Sequence, residues 1–265
     1  MVAYLSPEVY QVDAPRPAEA SGGTMLDVMD HVARREAQMA RHPFIQMLER
    51  DQVEDPQALV RGLTFFVMAF QDVLRLGARQ VTDPRLVDIA RTHQKEDAGH
   101  DSWFLHDLRS LGVDVSLGYV FSSKHQIPRD VGYALVAEVL RATDDCDRLA
   151  VVFALEAIGH VFFEPAIGLF ERRKPQNRLL YFARHHQQVE QSHEMFEGEV
   201  QQALARVSLS RERLAGVCAT VDRTFEQMSA LADDLVVQLA KPGENAQAAP
   251  TLLPERPGER RANMV

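Results

Sequence analysis

The sequence predicts an all-α protein, folded as a single-domain bundle of about seven helices. Three observations carry that prediction. Apolar residues recur at three- and four-residue intervals through most of the chain. Proline, glycine and aspartate punctuate the pattern where helices start and stop. Nowhere does the pattern alternate strand, turn and helix.

The elements follow in order. Residues 1–24 are rich in Pro, Ala, Ser and Gly and read as a flexible arm. From Met25, the residues Leu26, Met29, Val32 and Ala33 recur at helical spacing until His42-Pro43 stops the helix. A short helix covers residues 44–50, and Pro56 opens a longer one over residues 58–78. Asp83-Pro84 starts another, with Asp at the N-cap, and it runs unbroken to Leu111-Gly112. Residues 113–128 have some strand character and read as an irregular crossover. Helical spacing resumes at Arg129 and continues to Arg173, with a break near Thr143–Asp147, before Lys174-Pro175 ends it. Asn177 begins a helix out to Val207, and Ser210 to Leu239 forms the last amphipathic helix. Residues 241–265 hold four prolines and no periodicity, so they read as a disordered tail. Residues 25–240 are then the helical domain.

Composition narrows the class. Lys and Arg number 29 against 38 Asp and Glu, a formal charge of −9, which argues against nucleic-acid and anionic-membrane surfaces. Charge interrupts the longest apolar runs before about 18 residues, so no membrane span is expected. The N-terminus lacks the basic start and apolar core of a signal peptide. Cys146 and Cys218 have no CxxC spacing and read as reduced packing residues, so a cytoplasmic location is expected and a thiolate metal site is not.

Two spacings carry chemistry: His93-x-x-x-Asp97-x-x-His100 and His186-x-x-x-Glu190-x-x-His193. On a helix, positions i, i+4 and i+7 fall within roughly 60° of arc, so each spacing aims two imidazoles and a carboxylate at one point. Glu96 sits beside this stripe, yet its four-residue offset to His100 also serves, so Asp97 is favoured over it without excluding it. Gly99, next to His100, removes a side chain where something must come close. A third helix carries Glu156 and His160 inside an otherwise apolar run, where a carboxylate needs an ion pair or a cation. His160 is either a ligand or a group that orients one.

Nitrogen and oxygen donors without thiolate suit iron, manganese or zinc. A catalytic zinc takes three protein ligands, so the larger set here fits a pair of iron or manganese ions. Such a centre in a helical bundle commonly reduces O₂ and oxidises a bound organic molecule.

Four segments together resemble a known family, the heme-oxygenase-like diiron oxidases, also called iron-containing redox enzymes. They are residues 42–50, 95–112, 153–163 and 185–196, within a resemblance that spans roughly residues 42–200. The hallmark His-x-x-x-Asp/Glu-x-x-His falls on His186, Glu190 and His193, the middle-helix glutamate on Glu156, and the first-helix histidine on His100. Several members carry a glutamate seven residues before that histidine, where this chain has His93; others use an acid three residues before, here Asp97. The resemblance implies a seven-helix, heme-oxygenase-like fold and two iron ions, the second weakly held. It implies O₂-dependent oxidation of a small metabolite, such as N-oxygenation, oxidative decarboxylation or C–C cleavage of an amine, amino acid or fatty acid. Natural-product biosynthesis, an electron donor and a homodimer belong to the same expectation. Under it, Phe66 and Phe70 line the substrate pocket. Two other classes stay open. One is a cofactor-free or heme-dependent enzyme of the same superfold, and the other is a non-enzymatic helical binding module.

Overall fold

A computed structural model of the chain describes residues 22–191 and 198–240, the side chains of Glu190 and Gln191 excepted. It is built almost wholly from helices. Helix α1 spans Met25–Met39 and starts in a capping box, in which Thr24 accepts from the Leu26 amide and Asp27 accepts from the Thr24 amide. Next come α2 (Pro43–Glu49) and α3 (Pro56–Gln80), the latter capped by Asp55 with Pro56 in its first turn. Two shorter helices, α4 (Val87–Glu96) and α5 (His100–Ser110), lead to α6 (Leu117–Val120) and a 3₁₀ turn at Ser123–His125. Helix α7 (Gln126–Arg141) precedes α8 (Asp145–Arg173), where Asp144 accepts from the amides of Cys146 and Asp147. Then follow α9 (Arg184–Gln191), α10 (Gly198–Ala205) and α11 (Arg211–Leu239).

Helix α8 is the axis of the bundle. It touches α1, α2, α3, α7, α9 and α11, and most of its residues from Asp145 to Ile158 are buried. A helix apolar on every side has no solvent face to offer, which is the pattern of a core helix. By length and composition it also passes for a membrane span, although Glu156 and Glu164 interrupt its apolar run. Its most apolar window is 67% buried among its neighbours. The apolar core is continuous from Met25 to Leu235. Helices α3 and α7 pack closest where Gly132 lies against Phe65; a Cβ there would come within 2.9 Å of the ring.

Five boundaries differ from the sequence reading: the first is the start of α4, which falls at Val87 behind a turn and not behind an Asp83 N-cap. The helix expected over Asp83–Leu111 breaks between α4 and α5. The helix expected from Asn177 begins only at Arg184. Within the crossover, α6 and the 3₁₀ turn form, and α7 starts three residues before Arg129. The end of the expected arm is ordered too. Gly23–Thr24 (β1) pairs antiparallel with Ser208–Leu209 (β2), clamping the start of α1 to the start of α11.

Candidate metal centre

The break between α4 and α5 builds the site. Helix α4 ends at Asp97, and Gly99 turns the chain at φ +102°, a left-handed conformation that a side chain disfavours. A Cβ at Gly99 would meet nothing within 4 Å, so backbone conformation, not the close approach expected from sequence, calls for glycine. The turn sets the Asp97 carboxylate between two imidazoles. His93 Nε2 lies 2.9 Å from Asp97 Oδ2, and His100 Nδ1 lies 3.0 Å from Asp97 Oδ1.

Helix α8 supplies Glu156, whose Oε1 stands 3.1 Å from His93 Nε2. Donor atoms of His93, Asp97 and Glu156 all fall within 4.8 Å of one another. From α9 comes His186, with Nε2 3.3 Å from His100 Nδ1. Its other nitrogen, Nδ1, donates to the Tyr181 carbonyl at 2.6 Å, which fixes the tautomer and leaves the Nε2 lone pair facing the cluster. All five side chains are buried.

Two buried carboxylates give the cluster an appetite for positive charge. Burial alone would lower the His93 pKa, but Glu156 and Asp97 outweigh it and hold the imidazole well above its ordinary value. Asp97 is displaced the other way: burial raises it, and hydrogen bonds from His100 and His93 pull it far below the usual carboxylate range. In chemistry and spacing, this donor set fits a transition-metal ion that takes nitrogen and oxygen ligands. Elsewhere, burial first of all pushes the Cys146 thiol up to about 12.

Several supporting groups gave no sequence expectation. The Trp103 ring stacks on His100 with centroids 4.7 Å apart and meets His186 edge-on at 5.3 Å. Its position three residues after His100 on a helix was the available signal. Asp107 on α5 is fully buried and accepts from the amides of Leu180 (2.7 Å) and Phe182 (2.9 Å). It thereby fastens the turn that presents the Tyr181 carbonyl to His186. Gln71 on α3 donates to the Asp97 carbonyl at 3.2 Å, tying that helix to the turn.

The remaining candidates fall elsewhere. Glu96 lines a different cavity, bordered by Asp88, His93 and Glu199. His160 Nδ1 stands 4.0 Å from Glu36 of α1, outside the His93–Asp97–Glu156 group. His193 lies outside the described residues, and the Glu190 side chain does as well. Phe66 and Phe70 line a cavity of about 850 Å³, mouth included, which also reaches Asp97, His100, Glu156 and His186.

No protein-family model matches the chain, and no curated protein matches it. Solved structures do. One is a domain of unknown function with a heme oxygenase-like fold from Shewanella denitrificans OS217, at 16% identity and TM-score 0.59. The match covers 85% of this chain and 98% of that one. Another is a TenA homologue from Pseudomonas syringae pv. tomato strain DC3000, at 10% identity and TM-score 0.53, covering 80% of this chain and 92% of that one. At such identities the likeness speaks for the fold alone, and the fold is heme oxygenase-like and all-α.

Proposed function

We propose that the chain is a non-heme diiron enzyme that uses O₂ to oxidise a small organic molecule. The observation that carries this reading is the convergence of His93, Asp97, Glu156, His100 and His186, from three separate stretches of chain, in one buried cluster beside an apolar cavity. A purely structural polar network has no need of two buried carboxylates, whose desolvation is costly. Nor does a cofactor-free enzyme on the same fold.

In this reading, His93, Asp97 and Glu156 hold one ion, with His100 and His186 reaching the same space. Glu190 and His193 extend the set, as the family resemblance implies, and complete the place for a second, more weakly held ion. Manganese is the alternative metal, because the donors suit both. Iron bound there supplies the redox chemistry with O₂. The protein's own groups do the rest. The Tyr181 carbonyl keeps His186 in the ligating tautomer. Two imidazoles orient the Asp97 carboxylate. The phenylalanines of α3 and α8 keep bulk water away from the cluster and leave room for substrate. O₂, an external electron donor and a small-molecule substrate are the partners this chemistry requires. A cytoplasmic setting, a homodimer and a role in natural-product biosynthesis go with the proposal.

An oxygen electrode tests it. Protein loaded anaerobically with Fe(II) is expected to consume O₂ faster than the same concentration of free Fe(II), and Glu156→Ala is expected to lose the excess. Uptake no faster than that of free Fe(II) would overturn the reading.

A further inference from the structure

We infer that the molecule taken up beside the cluster is a single-headed amphiphile, an uncharged alkyl or aryl-alkyl tail ending in one oxygen-bearing head. This rests on the metal-dependent reading above and assigns that site its substrate class.

The cavity is polarised from end to end. Its polar side chains, Gln71, Asp97, His100, Glu156, Tyr181 and His186, include those of the cluster; Gln71 bonds the Asp97 backbone and the Tyr181 ring lies 4.7 Å from that of His186. Away from them the wall is apolar and comes from four helices: Phe44 on α2, Leu63 and Phe66 on α3, Phe162 on α8, and Ala232 and Leu235 on α11. Among the described residues, no lysine or arginine lines it.

These facts separate the substrate classes open to an O₂-using metal enzyme. A free amino acid brings two opposite charges about one carbon. The cluster offers a place for one of them, and the other would be left against phenylalanine and leucine with no partner. A diamine fails at its far end for the same reason. A tail without charge loses nothing on that wall, and each methylene withdrawn from water adds about fourfold to affinity. The head must then bind where the polar groups are, and oxygen is the donor that iron or manganese in such a site accepts.

Calorimetric titration of the full-length protein, metal-free and loaded with redox-inert Zn(II), tests the inference with n-alkyl carboxylates from butanoate to dodecanoate. Kd is expected to fall about fourfold per methylene in both forms until the tail fills the cavity. 2-Aminodecanoate is expected to bind about tenfold or more weakly than decanoate. Ala232→Phe should end the gain at a shorter chain and Phe66→Ala at a longer one, with Zn(II) affinity unchanged in both. Decanoate binding more tightly than 1-decanol assigns a carboxylate head, and the reverse order assigns a hydroxyl. A Kd independent of chain length, an amino acid binding as tightly as its carboxylate, or decylamine binding best would each overturn the inference. The metal reading fails separately, if Zn(II) and Fe(II) do not bind while the chain-length series persists in the metal-free protein.

Discussion

His93 stands where two buried carboxylates meet, 2.9 Å from Asp97 and 3.1 Å from Glu156. Its protonated ring balances charge that an ion would balance in the loaded protein. Removing one carboxylate weakens that demand. Glu156→Gln is expected to lower metal affinity by about tenfold or more. Trp103, the single tryptophan of the chain, reports the binding because it stacks on His100. A second residue-scale prediction concerns His125, fully buried, with neither ring nitrogen hydrogen-bonded among the described residues. Burial first, and then the neighbouring Arg129 charge, lower its pKa to about 4. With the folded value below the unfolded one, the neutral ring contributes stability that is complete above about pH 6.5 and lost as pH falls towards 4. His125→Leu should therefore gain Tm relative to the native protein between those values. An unchanged difference across the range would refute it. At this scale the grouping of His93, Asp97 and His100 was legible in the sequence, while the choice between Glu96 and Asp97 was not, because it depends on where α4 ends. Asp107 was readable in principle. It lies seven residues beyond His100, among Phe104, Leu108 and Leu111, where a carboxylate signals a buried acceptor.

At the scale of elements, the two departures from the expected helices are what bring the cluster together. The spacing argument assumed one straight helix through His93, Asp97 and His100. The chain instead turns at Gly99, so Asp97 meets each imidazole from the end of one helix and the beginning of the next. Gly99→Ala would force a left-handed residue with a side chain, at a cost of about 1–2 kcal/mol. It should also weaken metal binding, read by denaturant unfolding and by metal titration. The other departure is the non-helical stretch of turns before α9. Its residues have acceptable helix formers, but the amides of Leu180 and Phe182 are taken by Asp107, a tertiary contact that local sequence does not announce. Asp107→Ala strands those donors and is expected to cost about 1–3 kcal/mol. Since the same stretch presents the Tyr181 carbonyl, metal affinity should fall in that variant although no ligand has been touched. Stability lost with affinity unchanged would show that Asp107 does not position His186. The starts of α1, α3 and α11 were legible from apolar periodicity and from Pro56, while the caps Thr24 and Asp55 were not among the expected signals.

For the whole molecule, the all-α class was readable from helical periodicity, since six helices pack on α8 and most of α8 from Asp145 to Ile158 is buried. Of the cavity, only Phe66 and Phe70 were expected. It is formed by residues far apart in sequence, from Phe44 to Leu235, whose apolar character is equally that of a filled core. The β1–β2 clamp is two residues long on each strand and leaves no alternating pattern. Because the cluster draws on α4, α5, α8 and α9, an ion bound there links parts of the fold that otherwise touch sparsely. Saturating metal at about a hundred times Kd is expected to raise Tm by about 5–10 °C. The most direct test of the central claim is iron content per chain after anaerobic reconstitution of the full-length protein, followed by desalting, with Tm recorded on the same samples. The account predicts about two irons per chain, or one where the weaker is lost on desalting, together with the rise in Tm. It predicts loss of both effects in His186→Ala. No retained iron and an unchanged Tm in the native protein would contradict it, leaving the five buried side chains as a hydrogen-bonded network and nothing more.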